Sequence, residues 1–236
     1  MRRRRSVPMV DRLGGLLLGL VAGLSLLLLV APSLIVIAIS FEPRAFISFP
    51  PSGFSLRWYW SVFENRQLTD SILVSLEVAT LVMLAALLLG VPAAFASVRG
   101  TFPGKAGANA LLLSPQMMPG MVIGIASLFF GAYVGFRASD LMLVTALTVF
   151  CLPFTIRIVM ARLAGLDPRL DEASANLGAG PAETFLRVTV PQLGPALLAA
   201  AAFTFIEAFD NVTVALFTSD VRGRPLPVEL YYLVQN

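Results

Sequence analysis

The sequence contains no histidine and only one cysteine, Cys151. A disulfide within the chain is therefore excluded, and so are metal sites built from cysteine and histidine. A nucleophile activated by a neighbouring histidine, as in many hydrolases, is excluded as well. Cys151 lies in an apolar run beside Pro153, and we interpret it as a packed core residue. No metal and no cofactor is expected.

Charged residues are also scarce, since they make up 13% of the 236 residues while hydrophobic residues make up 57%. Soluble globular domains carry about 25% charged residues, and the mean hydropathy here is +0.83. No Ser/Gly-rich or charged linker divides the apolar runs. The composition predicts one membrane domain over residues 1–236, an all-α polytopic helix bundle in the lipid bilayer. A nucleic-acid partner is not expected.

Apolar stretches long enough to cross a bilayer, which takes about 20 residues, recur along the chain. We predict spans at about 13–39, 71–98, 106–134, 141–160 and 193–217. The first follows four arginines, Arg2–Arg5, and is about twice as long as the apolar core of a signal peptide. We therefore expect it to be retained, with the N-terminus in the cytoplasm under the positive-inside rule. Loops 99–105 and 161–192 then lie in the cytoplasm as well.

Two segments near the spans contain prolines or aromatic residues that indicate special structure. Pro115 and Pro119 predict a kink or break near residues 114–120. Irregular backbone at membrane depth survives where it lines a water path or is covered by protein, so Gln116 is a candidate pore-facing residue. Residues 58–60, Trp-Tyr-Trp, suit an amphipathic helix at the membrane interface. Packing of these rings against the bundle is the alternative.

The loop from Asp167 to Pro191 carries signals for two short helices joined by a turn. Asp167 and Pro168 predict a helix start, and Gly178 predicts a left-handed turn after about Asn176. Pro181 suits the first turn of a second helix, which we expect Pro191 to end. The sequence therefore predicts a helix–turn–helix that projects from the membrane.

This loop resembles the "EAA" signature of type I ABC importer permeases. Residues 172–174 read Glu-Ala-Ser, Gly178 follows after three residues, and residues 188–191 read Val-Thr-Val-Pro after nine more. Ser174 replaces an alanine of the pattern, and valines replace isoleucine and leucine. The resemblance implies that the helical pair sits in a groove of a cytoplasmic ATPase subunit. The implied docking residues are Glu172, Ala173, Ser174, Gly178 and Pro191. A solvated helix face is the alternative for Glu172.

The same resemblance implies the partners of the chain. The sequence has no phosphate-binding loop of the G-x-x-x-x-G-K-[ST] type, so ATP hydrolysis is expected on a separate chain, and this chain is not expected to be an enzyme. We expect two ATPase subunits, a second permease subunit (similar or identical), and an extracytoplasmic solute-binding protein. Members of the family usually have six spans, and we expect a sixth beyond Asn236. The location implied is the bacterial inner membrane.

Acidic residues inside predicted spans are Glu77, Glu207 and Asp210, and such residues usually face a bundle interior or a polar path. Glu207 and Asp210 lie three apart, hence on one helical face, and together with Asn211 and Thr204 they predict a negative stripe. The sequence at 209–212 and 226–231 is similar to that of permeases of the spermidine/putrescine branch, although Asn211 stands where that branch has a second acid. The resemblance implies a polyamine or related organic cation.

Several alternatives remain open from the sequence. The acids could instead pair with arginines of this chain or of a partner permease. The solute could be another small molecule, such as iron, thiamine or an amino-acid derivative. A non-transport assembly subunit is a further alternative, whereas an intramembrane enzyme lacks both histidine and a matched catalytic dyad.

Overall fold

The structure, a computed structural model, describes residues 9–135, 139–220 and 223–235. The Arg2–Arg5 cluster and Asn236 lie outside these ranges. All regular elements within them are helices, which confirms the all-α prediction. The chain divides into two compact units, Met1–Asn65 and Arg66–Asn236, which we describe separately. A single domain over residues 1–236 therefore stays a prediction.

The first unit contains two helices, α1 (Met9–Ile39) and α2 (Arg57–Glu64). Within α1, residues Leu17–Ile39 are long and apolar enough to cross a membrane. The segment between the helices folds back on itself, because the Phe41 ring stacks on Phe54 at 4.6 Å and the Ser55 N–H donates to the Phe41 carbonyl at 2.9 Å.

Glu42 organises this segment, although no sequence signal singles it out. The residue is only 2% exposed. It accepts hydrogen bonds from Ser48 Oγ at 2.7 Å, from the N–H and the hydroxyl of Ser52, and from the Arg44 N–H at 3.2 Å. The Glu42 carbonyl accepts from the Trp58 indole N–H at 2.8 Å. Hydrogen bonds to the ionised form, above all from Ser52, lower the pKa of Glu42 to about 2.

The second unit is built on three long helices, α3 (Arg66–Arg99), α6 (Asp140–Ala164) and α9 (Val190–Phe209). Small residues allow them to approach closely. A Cβ on Gly90 of α3 would lie 2.8 Å from Thr155 Cγ2 of α6. Thr155 in turn shares a hydrogen bond of 2.8 Å with Thr204 of α9, and both threonines are fully buried. The three helices therefore meet at one tightly packed point.

The shorter helices of this unit surround the three long ones. They comprise α4 (Lys105–Leu113), a 3₁₀ turn (Ser114–Met117), α5 (Gly120–Val134), α7 (Arg169–Asn176), α8 (Pro181–Thr184), a π-turn (Phe185–Thr189), α10 (Ala215–Thr218) and α11 (Leu226–Gln235).

The predicted third span is broken where its prolines stand. The stretch Lys105–Met117, which ends in the 3₁₀ turn that contains Pro115, meets α5 at an angle of 106°, so the span is broken where predicted. In the described part of the chain, four helices are long and apolar enough to cross a membrane, and a fifth span is present if this bent pair counts as one.

The predicted fifth span is wrong at both ends. The helical run extends from Pro181 to Phe209, so Pro191 does not end the preceding helix. The π-turn closes just before Pro191, with the Val190 N–H bonded to the Phe185 carbonyl, and this wider turn accommodates the proline.

At the other end, α9 stops at Phe209 rather than continuing to residue 217. The Asn211 side-chain oxygen accepts from the Val214 N–H at 2.8 Å. Such a bond offers the backbone an alternative to the helix.

The contacts between helix ends and loops agree with the predicted topology. The C-terminal end of α3 meets the 161–192 loop through Arg99 and Asp171. Its N-terminal half meets the chain end, where the Leu226 N–H donates to Ser75 Oγ at 2.7 Å and the Gln67 amide donates to buried Glu229. Loops predicted for the same side of the membrane therefore lie together.

We predict that the segment around Glu42 loses stability on acidification between about pH 4.5 and pH 2. The folded segment lowers the pKa of Glu42 from 4.5 to about 2, so the stabilisation is complete above pH 4.5 and is lost as the pH falls through 2. Near-ultraviolet circular dichroism of Trp58 and Trp60, the only tryptophans, would follow the change. Glu42→Gln should remove the transition; an unchanged transition in that variant would contradict the assignment.

Candidate functional site

The 167–191 loop forms the predicted helix–turn–helix. Helix α7 ends at Asn176, Gly178 adopts φ +86°, and α8 begins at Pro181. A residue with a Cβ is strained at that φ, by about 1–2 kcal/mol. The N–H groups of Gly178 and Ala179 bond back to carbonyls of α7 at 2.9 and 3.2 Å, which satisfies the end of the helix. We call residues 167–191 the hairpin below.

One face of α7 connects the hairpin to the long helices of the second unit. Asp171 forms an ion pair with Arg99 at 2.8 Å and accepts from Thr189 Oγ1 at 3.1 Å. Ser174, one turn later, shares a hydrogen bond of 3.0 Å with Thr184. A single carboxylate thus joins α7 to the end of α3 and to the π-turn that leads into α9. Sequence reasoning missed Asp171, although the placement of Arg99 and Asp171 in two loops on one side could have indicated the pair.

An adjacent face of α7 is left open. Leu170, Ala173 and Leu177 follow the i, i+3, i+7 spacing of one helical face, all three are exposed, and Leu177 is 89% exposed. Glu172 beside them is exposed and makes no ion pair within the described part of the chain. Pro191 is exposed in the first turn of α9. Of the predicted docking residues, Ser174 alone is turned to an internal partner.

A second candidate site lies at the C-terminal end of α9. Glu207, Asp210 and Asn211 all line one pocket of about 370 Å³. Glu207 is half-buried in the last turn of the helix, while Asp210 is exposed and follows its last residue. Neither acid forms an ion pair with any described residue. The remaining lining residues are Phe150, Ile206, Val212 and Thr213.

The other polar residues predicted for this path have different positions. Thr204 is fully buried and bonded to Thr155, so it does not contribute to a negative stripe. Gln116 is not part of the pocket lining; its side-chain oxygen accepts from Arg157 at 2.9 Å. Asn211 lines the pocket, but its oxygen caps the turn at Val214.

Close packing of α5 holds the pocket loop in place. A Cβ on Gly124 would lie 2.9 Å from the Phe217 ring and 3.2 Å from the Thr213 carbonyl, and one on Gly120 would collide with the Thr213 hydroxyl. The two glycines, four apart, therefore allow residues 213–217 to lie directly on α5. The broken third span thus supports the loop that begins at Asp210.

Comparison with known proteins decides the family. The spermidine/putrescine transport system permease protein PotC of Haemophilus influenzae is 30% identical over 184 residues, which cover 78% of this chain and 72% of that protein. The chain belongs to the permease family of ABC importers. The putrescine transport system permease protein PotI of Escherichia coli is 28% identical to this permease over 214 residues, covering 88% of the chain and 76% of PotI. No family model matches the chain.

Solved structures agree on the fold of this permease. The crystal structure of a bacterial ABC transporter involved in the import of the acidic polysaccharide alginate matches with a TM-score of 0.73. The two chains are 16% identical, and the match covers 96% of this permease and 81% of that chain. The type I importer permease fold expected from the hairpin is thereby confirmed.

Membership of the family settles the general role of the permease. It is a transmembrane pore subunit of an ATP-driven importer and a multi-pass protein of the inner membrane. ATP is hydrolysed on separate subunits, and an ATPase, a solute-binding protein and a second permease are its partners.

We predict that Asp171→Asn loosens the hairpin. The ion pair with Arg99 is about a quarter exposed, and pairs of this kind contribute about 0.2–1 kcal/mol, so cleavage of the hairpin by added protease should accelerate by up to about fivefold. Glu183→Gln is the matched control, because Glu183 pairs with Arg187 on the exposed side of the same hairpin. Equal cleavage rates for the two variants would contradict the role of Asp171.

Proposed function

We propose that this permease imports a polyamine or a related organic cation. The observation that carries the proposal is the pair of uncompensated carboxylates, Glu207 and Asp210, in one pocket at the end of α9. An ionised acidic side chain inside the membrane costs free energy. No described residue forms an ion pair with Glu207 or Asp210. A cationic solute would supply the missing charge. The names of PotC and PotI, both polyamine permeases, support the same class of solute.

The geometry suits a solute that carries more than one positive charge. Glu207 and Asp210 are separated by about one turn of helix, so each carboxylate can receive a different ammonium group. The apolar lining residues, Phe150, Ile206 and Val212, offer contacts to a hydrocarbon chain between the charges. The negative charge of the wall comes from the two carboxylates and not from Asn211, whose side-chain oxygen accepts from the Val214 N–H. A polycation therefore fits this wall better than an anion does.

A different small solute of the same family, such as iron, thiamine or an amino-acid derivative, is the alternative. Iron has no support in a ligand set, since no group of three metal-ligating residues is found among the described residues. Thiamine and amino-acid derivatives differ from polyamines in having an aromatic ring or a carboxylate. Stimulation of ATP hydrolysis by each solute in the reconstituted complex separates these cases.

The hairpin is proposed as the site where the ATPase acts on this permease. Its open face, Leu170, Ala173 and Leu177, would pack in a groove of the ATPase, with Glu172 as a polar contact and Gly178 as the turn. We include Pro191, at the start of α9, in this docking region. Asp171 and Ser174 on the inner face would carry the resulting movement to α3 and α9.

The complete assembly is proposed to contain two ATPase subunits, this permease paired with a similar or identical one, and a solute-binding protein on the outer face. The N-terminus would lie in the cytoplasm, on the same side as the hairpin. Closure of the ATPases on ATP would open the path alternately to the two sides. The pocket at Glu207 and Asp210 would contact the solute during that passage, whereas Gln116 would contribute through Arg157.

We predict that Asp210→Asn and Glu207→Gln each raise the KM for putrescine uptake by about 10- to 100-fold, because a hydrogen bond to a charged group contributes about 1.5–3 kcal/mol. Uptake into vesicles that contain the reconstituted complex measures this effect. Glu64→Gln, which removes an exposed carboxylate on α2, is the control and should leave KM unchanged. If Asp210→Asn instead prevents co-purification of the subunits, the acid is structural and the solute proposal fails.

We predict that Glu172→Lys and Gly178→Asp abolish ATP-driven uptake while the permease still inserts in the membrane. The first reverses a charge on the docking face, and the second strains the turn by about 1–2 kcal/mol. Uptake and ATPase activity are measured together, with co-purification of the ATPase. Glu183→Lys reverses a charge on the same hairpin outside the docking face and should retain uptake. Normal uptake by both test variants would contradict docking through the hairpin.

A further inference from the structure

Large apolar side chains project from the segment between α1 and α2 and from α2 itself without covering one another. Six of them are 64–83% exposed: Phe46, Ile47, Phe49, Phe54, Trp60 and Phe63. Isolated exposed apolar residues are ordinary, but a group of this size within 18 residues marks an interaction surface. The function derived above makes no use of it.

The exposed apolar and polar residues of α2 lie on different sides of the helix. Leu56, just before the helix, and Trp60 and Phe63 within it follow the i, i+4, i+7 spacing of one side. The polar residues Arg57, Ser61 and Glu64 repeat the same spacing one position later and occupy an adjacent side. No residue of α2 is buried. The helix is therefore amphipathic, and its apolar side has no partner within the first unit.

The surface is held in shape rather than loose. The hydrogen bonds that Glu42 accepts hold the segment between the helices in place. Ser40 Oγ also shares a hydrogen bond of 2.7 Å with the Tyr59 hydroxyl, which connects the end of α1 to α2. The Trp58 indole N–H is bonded to the Glu42 carbonyl, whereas Trp60, two residues on, points away with 66% of its surface exposed. Arg44, among the apolar side chains, is exposed and makes no ion pair with described residues. Arginine beside aromatic rings suits a layer of phosphate groups above hydrocarbon.

In the chain, the segment connects two helices that are long and apolar enough to cross a membrane. The spanning stretch of α1 ends at Ile39, and the next spanning helix begins at Arg66. Only Asn65 separates that helix from α2, so α2 cannot move far from the lipid headgroups. We propose that residues 40–64 form an interfacial anchor whose apolar side, centred on Trp60 and Phe63, is buried among phospholipids at the membrane–water boundary. This proposal is independent of the solute and of ATPase docking.

The two tryptophans of the chain provide the test, because both lie in this anchor. The full chain is reconstituted in vesicles of phosphatidylethanolamine and phosphatidylglycerol that contain phospholipid brominated close to the headgroup. Trp58→Phe leaves Trp60 as the only emitter, and Trp60→Phe leaves Trp58 as the matched control. We expect the brominated lipid to quench Trp60 at least twice as strongly as Trp58, with little quenching of Trp60 by aqueous iodide. Strong quenching by iodide without quenching by brominated lipid would overturn the proposal.

A second measurement examines the assembled importer in its native membrane. A photoreactive benzoylphenylalanine replaces Trp60, and a matched variant carries it in place of Leu177 on the hairpin. The anchor predicts cross-links from position 60 to radiolabelled phospholipid. Cross-links from position 60 mainly to a protein, either the second permease or the solute-binding protein, would overturn the lipid proposal and identify the occupant of this surface.

Discussion

Within a bilayer, each backbone N–H and C=O must find a partner inside the protein, since lipid offers none. This constraint explains why the described chain contains only helices, and it gives special weight to the places where a helix stops. Two such places lie in the second unit: the 3₁₀ turn at Ser114–Met117 and the loop at 210–214. The first is supported by its own turn bonds and the second by the Asn211 side chain. Close packing against Gly120 and Gly124 brings the loop onto α5.

The same constraint connects the two candidate sites. The acids stand where α9 ends, and the hairpin stands where the helical run that contains α9 begins. Between them the run crosses the unit and is locked to α6 through Thr155 and Thr204. The hairpin is thus connected to α9 through a continuous helical run, and to α3 through the ion pair of Asp171 and Arg99. The two candidate sites therefore lie at the two ends of that run.

Much of the fold could be predicted because it depends on strong local signals. Span lengths, the break at Pro115 and the turn at Gly178 follow from hydropathy, a missing backbone donor and a left-handed φ, each of which belongs to a residue type. The end of α9 could not be predicted in the same way, because residues 210–217 are apolar enough to continue a span. Their conformation is decided by a side-chain cap at Asn211 and by tertiary packing on α5.

In the candidate sites, too, local sequence signals indicate some residues, and tertiary contacts decide the importance of others. Glu207, Asp210 and the motif from Glu172 to Gly178 were recognisable as candidates because charge within a span and a spaced motif are visible in the chain. Asp171 and Glu42 were not, since their importance arises from partners distant in sequence or from several bonds converging on one carboxylate. Thr204 was assigned to the polar stripe because a hydroxyl on the correct face looks the same whether it meets water or Thr155.

The π-turn at Phe185–Thr189 determines which way α9 faces. An α-helix turns by about 100° per residue, and a π-turn accommodates one extra residue within a single turn. Every side chain after Val190 therefore has a direction offset by about that angle from the one that an unbroken α-helix starting at Pro181 would give it. Straightening this turn would swing the carboxylate of Glu207 around the helix axis, so a small change in backbone winding near the hairpin would reorient charge at the far end of the helix.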